Sequence, residues 1–223
     1  MMLSGCATTA NAPANDPHEG FNRKVFAFNM SLDKAVLLPV AKFYSRAVPG
    51  PARTGVHNAL SNLDEPVVFS NQLLQGHLTD AGKTVVRFAV NSSVGIAGLV
   101  DVGTKLDLPP QDTDFGITLG VWGAGEGPYL MLPLLGPAPP RDLSGMAVDN
   151  FLDPVTYLDF RSKLAYVGGR DALQILDMRS RNIDTLDAIE RTSIDFYAVT
   201  RSLYLQHRDA QIRGDEPPPD DGL

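Results

Sequence analysis

The segment from Gly76 to Thr84, GHLTDAGKT, brings glycine, lysine and threonine together in the order of a phosphate-binding loop. Such a loop aims successive backbone N–H groups at a phosphate while its lysine neutralises the charge. Here five residues separate Gly76 from Gly82 where four are required, and no strand pattern precedes them. The extra residue misdirects the N–H groups, which argues against nucleotide binding. Gly123, Gly125 and Gly127 alternate, but Pro128 follows at once and the dinucleotide fingerprint is not met. His18-Glu19 has no second histidine four residues on, and His57, His77 and His207 are scattered without ligand spacing, so no metal site is expected. No G-x-S-x-G nucleophile elbow occurs. Asp112/Asp114 and Asp149/Asp153 are the pairs that could hand protons to a substrate. Helix capping and proline-turn chemistry account for both more cheaply, because aspartate favours those positions anyway. Nothing here argues for an enzyme or for a cofactor.

The remaining reactive group is a thiol. Cys6 is the only cysteine, which rules out an intramolecular disulfide, and it closes the tetrapeptide Leu3-Ser4-Gly5-Cys6. Leucine and two small residues before cysteine resemble the lipobox of bacterial lipoproteins, in which the thiol takes a diacylglycerol and becomes the first mature residue. Only five residues precede Cys6, fewer than the basic segment and roughly 7–15 apolar residues of a secretory signal, so residues 1–5 read as the remnant of one that starts upstream. Ala7 stands where lipoproteins kept at the inner membrane commonly carry aspartate, which points to the outer membrane. Residues 6–16 read as a lipidated tether, 17–213 as one folded domain, and 214–223 as an acidic disordered tail.

The chain has 223 residues, 43% of them hydrophobic, and a formal charge of −7. It has no basic block, which argues against nucleic acid as a partner. No run reaches the roughly 18–20 apolar residues of a membrane-spanning helix, so a membrane would be met by an anchor or by burial in one leaflet. After Asp16-Pro17, a helix-start signal, Phe21, Val25, Phe28, Leu32 and Val36 define one apolar helical face. Asn22, Asn29 and Asp33 lie on a second stripe, and Pro39 is expected to end or kink the helix. Residues 52–62 and 66–76 read as two short helices split by Asp64-Glu65-Pro66. Thr79 is placed to cap a helix through about Asn91, with Arg87 and Asn91 on one side. Asp112-Thr113-Asp114 is placed to cap a short helix carrying Phe115, Leu119 and Trp122. The apolar run YLMLPLLGP is broken by prolines and excludes a regular central strand. Residues 161–213 read as two or three longer helices. The expected class is all-α.

Read in order, the motifs resemble the MlaA (VacJ) family of outer-membrane lipoproteins. They run from Asp16-Pro17, Asn22-Arg23, Phe28-Asn29 and Asp33 through Asn62-Leu63, Pro66, Asn71 and Gln75-Gly76 to Arg87-Phe88 and Asn91-Ser92. The densest block spans Asp114-Phe115-Gly116, Thr118-Leu119-Gly120, Trp122-Gly123, Gly125, Gly127-Pro128-Tyr129, Leu132-Pro133 and Gly136-Pro137. Arg141-Asp142, Gly145, Asp149, Pro154 and the Phe196–Arg208 segment complete it over about residues 16–213. The resemblance implies a single-domain helical ring embedded in one membrane leaflet. It implies extraction of mislocalised phospholipids from the outer leaflet, a trimeric outer-membrane porin beside the ring, and a periplasmic carrier protein that receives the lipid.

A phospholipid crossing between leaflets must carry its charged head group past an apolar slab, at high cost unless a polar-lined path exists. A ring with apolar residues outside and polar residues within would supply one. Residues 116–137, with Gly116, Gly120, Gly123, Gly125, Gly127, Pro128, Tyr129 and Pro133, are expected either to form a channel-lining hairpin that flexes or to pack as a loop that stiffens the ring. Asn22, Asn29, Asp33, Arg87 and Asn91 would either contact lipid or hydrogen-bond between helices. Tyr197, Arg201, Tyr204 and Arg208 form a stripe that would touch the carrier or anionic head groups, or simply face solvent. Two rival functions are a structural lipoprotein that braces porins with no transport path, and a periplasmic lipase, which the lack of an activated nucleophile disfavours.

Overall fold

In the computed structural model, which describes residues 16–214, helices do nearly all the folding. Helix α1, Glu19–Leu32, runs without a break into a π-helical turn, Asp33–Leu37, and then α2, Leu38–Ala47. Pro39 explains the change of pitch, since its ring displaces the carbonyl four residues back. The Leu38 N–H instead reaches the Asp33 carbonyl, a five-residue bond, and the helix continues as α2 with Pro39 in its first turn. Pro39 therefore overwinds nothing and ends nothing; it inserts one residue into the turn.

Helix α3, Gly50–Leu74, corrects the expectation of two short helices, because Pro66 lies inside it. An interior proline costs about 3 kcal/mol. Helix α4, Leu78–Ser93, packs along α3, and together they bury Leu60, Val68, Ala81 and a polar cluster that offsets that cost. Thr79 falls within the first turn of α4, whose N-terminus has no side-chain cap. Helix α5, Phe115–Val121, begins as expected, with Asp114 accepting from the Ile117 N–H at 2.8 Å. Strands β1, Met131–Leu132, and β2, Gly136–Pro137, pair antiparallel across the turn at Pro133–Leu135. Helices α6, Pro140–Leu152, α7, Lys163–Arg181, α8, Ile183–Thr192, and α9, Phe196–Arg213, follow.

The packing closes on itself. Helix α1 holds the hairpin and meets α9 through Phe26, Phe196 and Tyr197; α9 packs on α5, α5 on α3 and α6, α3 on α7, and α7 on α2, which continues α1. This cycle of neighbours is the ring. Its interior is unusual in that buried polar and charged side chains outnumber buried apolar ones among the described residues. Helix α4 shows the inversion most plainly: Thr84, Arg87 and Asn91 are buried while Leu78, Val85, Val86 and Phe88 are exposed. The apolar face of α1 likewise points outward at Phe21 and Phe28, and only Val25 turns into the core. The conventional core is small, with Val25, Tyr129, Met131 and Tyr197 packed against Phe26, Tyr204 and Leu205. Among the described residues, no helix is long and apolar enough to cross a membrane.

Candidate lipid-binding cavity

A cavity of about 780 Å³ opens between α1, the hairpin, α7, α8 and α9. Its size falls within the ~300–1,000 Å³ of small-molecule sites. Phe26, Met30, Leu32, Val36, Leu37 and Val40 supply one wall; Met131, Leu134, Leu135 and Pro137 a second; Ile175, Leu176, Met178, Leu186 and Phe196 a third. The polar lining is confined to Asn29, Asp33, Arg179, Asp187, Glu190 and Thr200.

The polar stripe of α1 builds this site. The Asn22 amide donates to the Tyr129 carbonyl at 2.9 Å and accepts from the Met131 N–H at 3.0 Å. Two turns on, Asn29 donates to the Leu132 carbonyl and accepts from the Leu134 N–H, both at 2.9 Å. Seven helical residues rise about 10.5 Å, and three extended residues span about 10 Å. The asparagines therefore match the register of residues 131–134 and fasten the hairpin to α1. One turn further, both Asp33 oxygens take Arg179, at 2.8 and 3.0 Å, and tie α7 to the π turn. That pairing raises the Arg179 pKa above its ordinary value, with burial acting against it.

Arg87 and Asn91 do not belong to this stripe. They lie on α4, where Arg87 donates to Glu65 and Asp101 at 2.8 Å each and to the Leu108 carbonyl at 2.7 Å. Asn91 accepts from the Val102 and Gly103 N–H groups. Burial pushes the Glu65 carboxyl up to about 7 despite Arg87, and its Oε2 has no hydrogen-bond partner. This cluster locks the loop after α4; it is the interhelical hydrogen bonding that such residues were able to make instead of contacting lipid.

The glycine-rich residues expected to line a channel take other places than this cavity wall. None of Gly116, Gly120, Gly123, Gly125, Gly127, Pro128, Tyr129 and Pro133 lines the cavity; the hairpin reaches it through Met131 and residues 134–137. Gly116 and Gly120 belong to α5, where a Cβ would stand 2.7 Å from Arg208 Nη2 and 2.5 Å from Ile212 Cδ1. Gly123 and Gly127 have φ of +90° and +77°, the left-handed region that favours glycine, while Gly125 faces open space. Tyr129 is fully buried.

The Tyr197, Arg201, Tyr204 and Arg208 stripe faces inward, not toward a carrier, because acids from distant segments meet it. Tyr197 and Arg201 bond to buried Asp16, which Asn22 also reaches at 2.8 Å. Tyr204 bonds to Asp142 at 2.5 Å, and Arg208 spans Asp142 and Asp114. Burial pushes the Asp142 carboxyl up, but bonds from Arg208 and Tyr204 outweigh it and leave it below the ordinary range. Cys6 lies outside the described residues. Sequence reasoning missed Arg179, Asp187 and Glu190; their signal was a charged stripe on otherwise amphipathic helices, indistinguishable locally from a solvated face. Among the described residues, no cluster of three or more His, Cys, Asp or Glu is placed to hold a metal ion.

An inside-out helical ring with an apolar cavity carrying a few charged groups defines a lipid-handling class of protein. The chain belongs to the MlaA lipoprotein family, whose model matches residues 14–211. It is 35% identical to the intermembrane phospholipid transport system lipoprotein MlaA of Escherichia coli (strain K12), over 98% of this chain and 87% of that protein. The Haemophilus influenzae protein of the same name is 34% identical over 93% of this chain and 84% of its own length. A solved chain from work on the structural basis for maintenance of bacterial outer membrane lipid asymmetry superposes with a TM-score of 0.80 at 35% identity, covering 88% of this chain and 98% of that one.

Proposed function

We propose that this protein is a non-enzymatic outer-membrane lipoprotein that removes mislocalised phospholipids from the outer leaflet through its cavity and passes them to a periplasmic carrier. The carrying observation is the inverted ring, with Phe21, Phe28, Val85 and Val86 outside and Asn29, Asp33 and Arg179 set in the wall of an apolar cavity. Exposed apolar surface on this scale marks an interaction or membrane site. It suits a ring seated in the inner leaflet, held by acyl chains on Cys6, since several chains anchor where one binds only marginally. The names of the two bacterial relatives and the subject of the solved structure support the same reading. A trimeric porin beside the ring and a periplasmic carrier below it complete the proposed route.

The test is an outer-leaflet phospholipid assay in a strain lacking the family member, complemented with this chain or with Cys6→Ala. The wild type restores asymmetry and Cys6→Ala does not. Failure of a membrane-localised wild type to restore it, with no phospholipid co-purifying, overturns the transport reading and leaves a porin-bracing role.

A further inference from the structure

The charged groups of the cavity are not balanced. Asp33, Arg179, Asp187 and Glu190 line an otherwise apolar wall, and Lys34 pairs with Glu190 at 2.5 Å. The patch thus holds one carboxylate in excess. Asp33 takes Nε and Nη2 of Arg179, and Asp187 stands 3.9 Å from Nη2. No hydrogen bond from a described residue reaches the Asp187 carboxylate, and Nη1 of Arg179 has no partner although the residue is only 7% exposed. An unpaired guanidinium N–H in so buried a residue is costly, and it is satisfied best by an anionic oxygen.

Resting on the transport reading, we infer that this patch selects phospholipids whose head groups carry an ammonium beside the phosphate. Nη1 lies just beneath the cavity wall, so a turn of the Arg179 side chain brings it to the phosphate oxygen, and the ammonium takes Asp187. In an ethanolamine head group a short spacer joins the two charges, which suits neighbours as close as Asp187 and Arg179. A head group with a phosphate and no cation leaves Asp187 unmatched and meets the excess carboxylate. In a site walled by apolar groups such a mismatch is poorly screened. The apolar walls require acyl chains, so a soluble phosphoethanolamine lacks most of the contact.

The purified full chain is loaded in detergent with equal amounts of phosphatidylethanolamine and phosphatidylglycerol of identical acyl chains, and the bound lipid is identified by mass spectrometry. The wild type is expected to enrich phosphatidylethanolamine about tenfold at low salt, the scale of one modest electrostatic contact. Asp187→Asn lowers the enrichment to about threefold or less, and Asp187→Lys inverts it. Because Asp187 is about one-third exposed, Asp187→Asn should still fold, and it serves as the reading if Asp187→Lys does not. Equal retention of the two lipids by the wild type, or an enrichment that survives in Asp187→Asn, overturns the inference while leaving transport intact. Displacement of bound lipid by excess soluble phosphoethanolamine overturns it as well, because the site would then read a free solute. Absence of any bound phospholipid sinks this inference and the transport reading together.

Discussion

Replacing Asn22 with alanine should cost more stability than its small size suggests. Asn22 is fully buried and makes three hydrogen bonds, to Asp16 at 2.8 Å, to the Tyr129 carbonyl at 2.9 Å and from the Met131 N–H at 3.0 Å. Alanine removes all three and leaves Met131 N–H and the Tyr129 carbonyl buried without partners. Each such orphan costs about 1–3 kcal/mol, and a water entering the space vacated recovers part of it. Asp16 keeps Tyr197 and Arg201, so its loss is the smallest of the three. The expected sum is about 3–4 kcal/mol, which in a chain of this size lowers the melting temperature by roughly 6–16 °C. Asn29→Ala removes two bonds at a half-buried position and should cost about 1–2 kcal/mol. The assay is thermal unfolding in detergent, with amide exchange read at Met131 for the first variant and Leu134 for the second. A shift below 2 °C for Asn22→Ala, or unchanged protection at Met131, refutes the claim that these asparagines hold the hairpin.

Gly145→Ala places a Cβ 2.3 Å from the Gly116 N of α5, a backbone atom, and should abolish stable folding. Gly120→Ala meets side-chain atoms rather than backbone, Ile212 Cδ1 at 2.5 Å and Cγ1 at 2.8 Å, and should cost about 1–2 kcal/mol. Comparison of soluble yield and melting temperature separates the two. Glu65 carries a raised pKa of about 7. Folding therefore takes up a proton, and this group's contribution is complete below its ordinary value and declines as pH rises towards 7. Glu65→Gln should flatten that decline in denaturation curves at pH 5 and pH 8, and an equal slope in both proteins contradicts it. Leu135→Asp puts a charge on the exposed hairpin tip at the cavity wall and should reduce lipid flux in the outer-leaflet assay, whereas Gly125→Val, which points into open space, should leave flux unchanged.

The apolar periodicity of residues 21–36 revealed the helix, but periodicity does not say which solvent an apolar face meets. The family resemblance resolved that point and the ring. Pro66 was misread as a break because a local rule cannot weigh the long α3–α4 contact against one lost hydrogen bond. The Tyr197–Arg208 stripe was misplaced for a similar reason. Exposed charge is the usual outcome for such a pattern, and only Asp16, Asp114 and Asp142, brought from distant segments, make burial affordable. The cavity charges were illegible because Asp33 and Arg179 meet across 146 residues. Glycine density marked the irregular region correctly, yet Gly116 and Gly120 serve close packing against α9.

The π turn at Asp33–Leu37 makes chain length itself part of the design. One added residue advances a helix by about 100°. Everything from Leu38 onward in that rod is consequently rotated by more than a quarter-turn from the setting an unbroken α-helix would impose. Excision of a single residue after Asp33 in that turn would preserve every hydrophobic side chain beyond it, yet swing Phe43 off its outward bearing and carry Asp33 away from its guanidinium. A one-codon deletion there is thus a sharper perturbation than most substitutions, since it re-aims a whole rod without altering its composition.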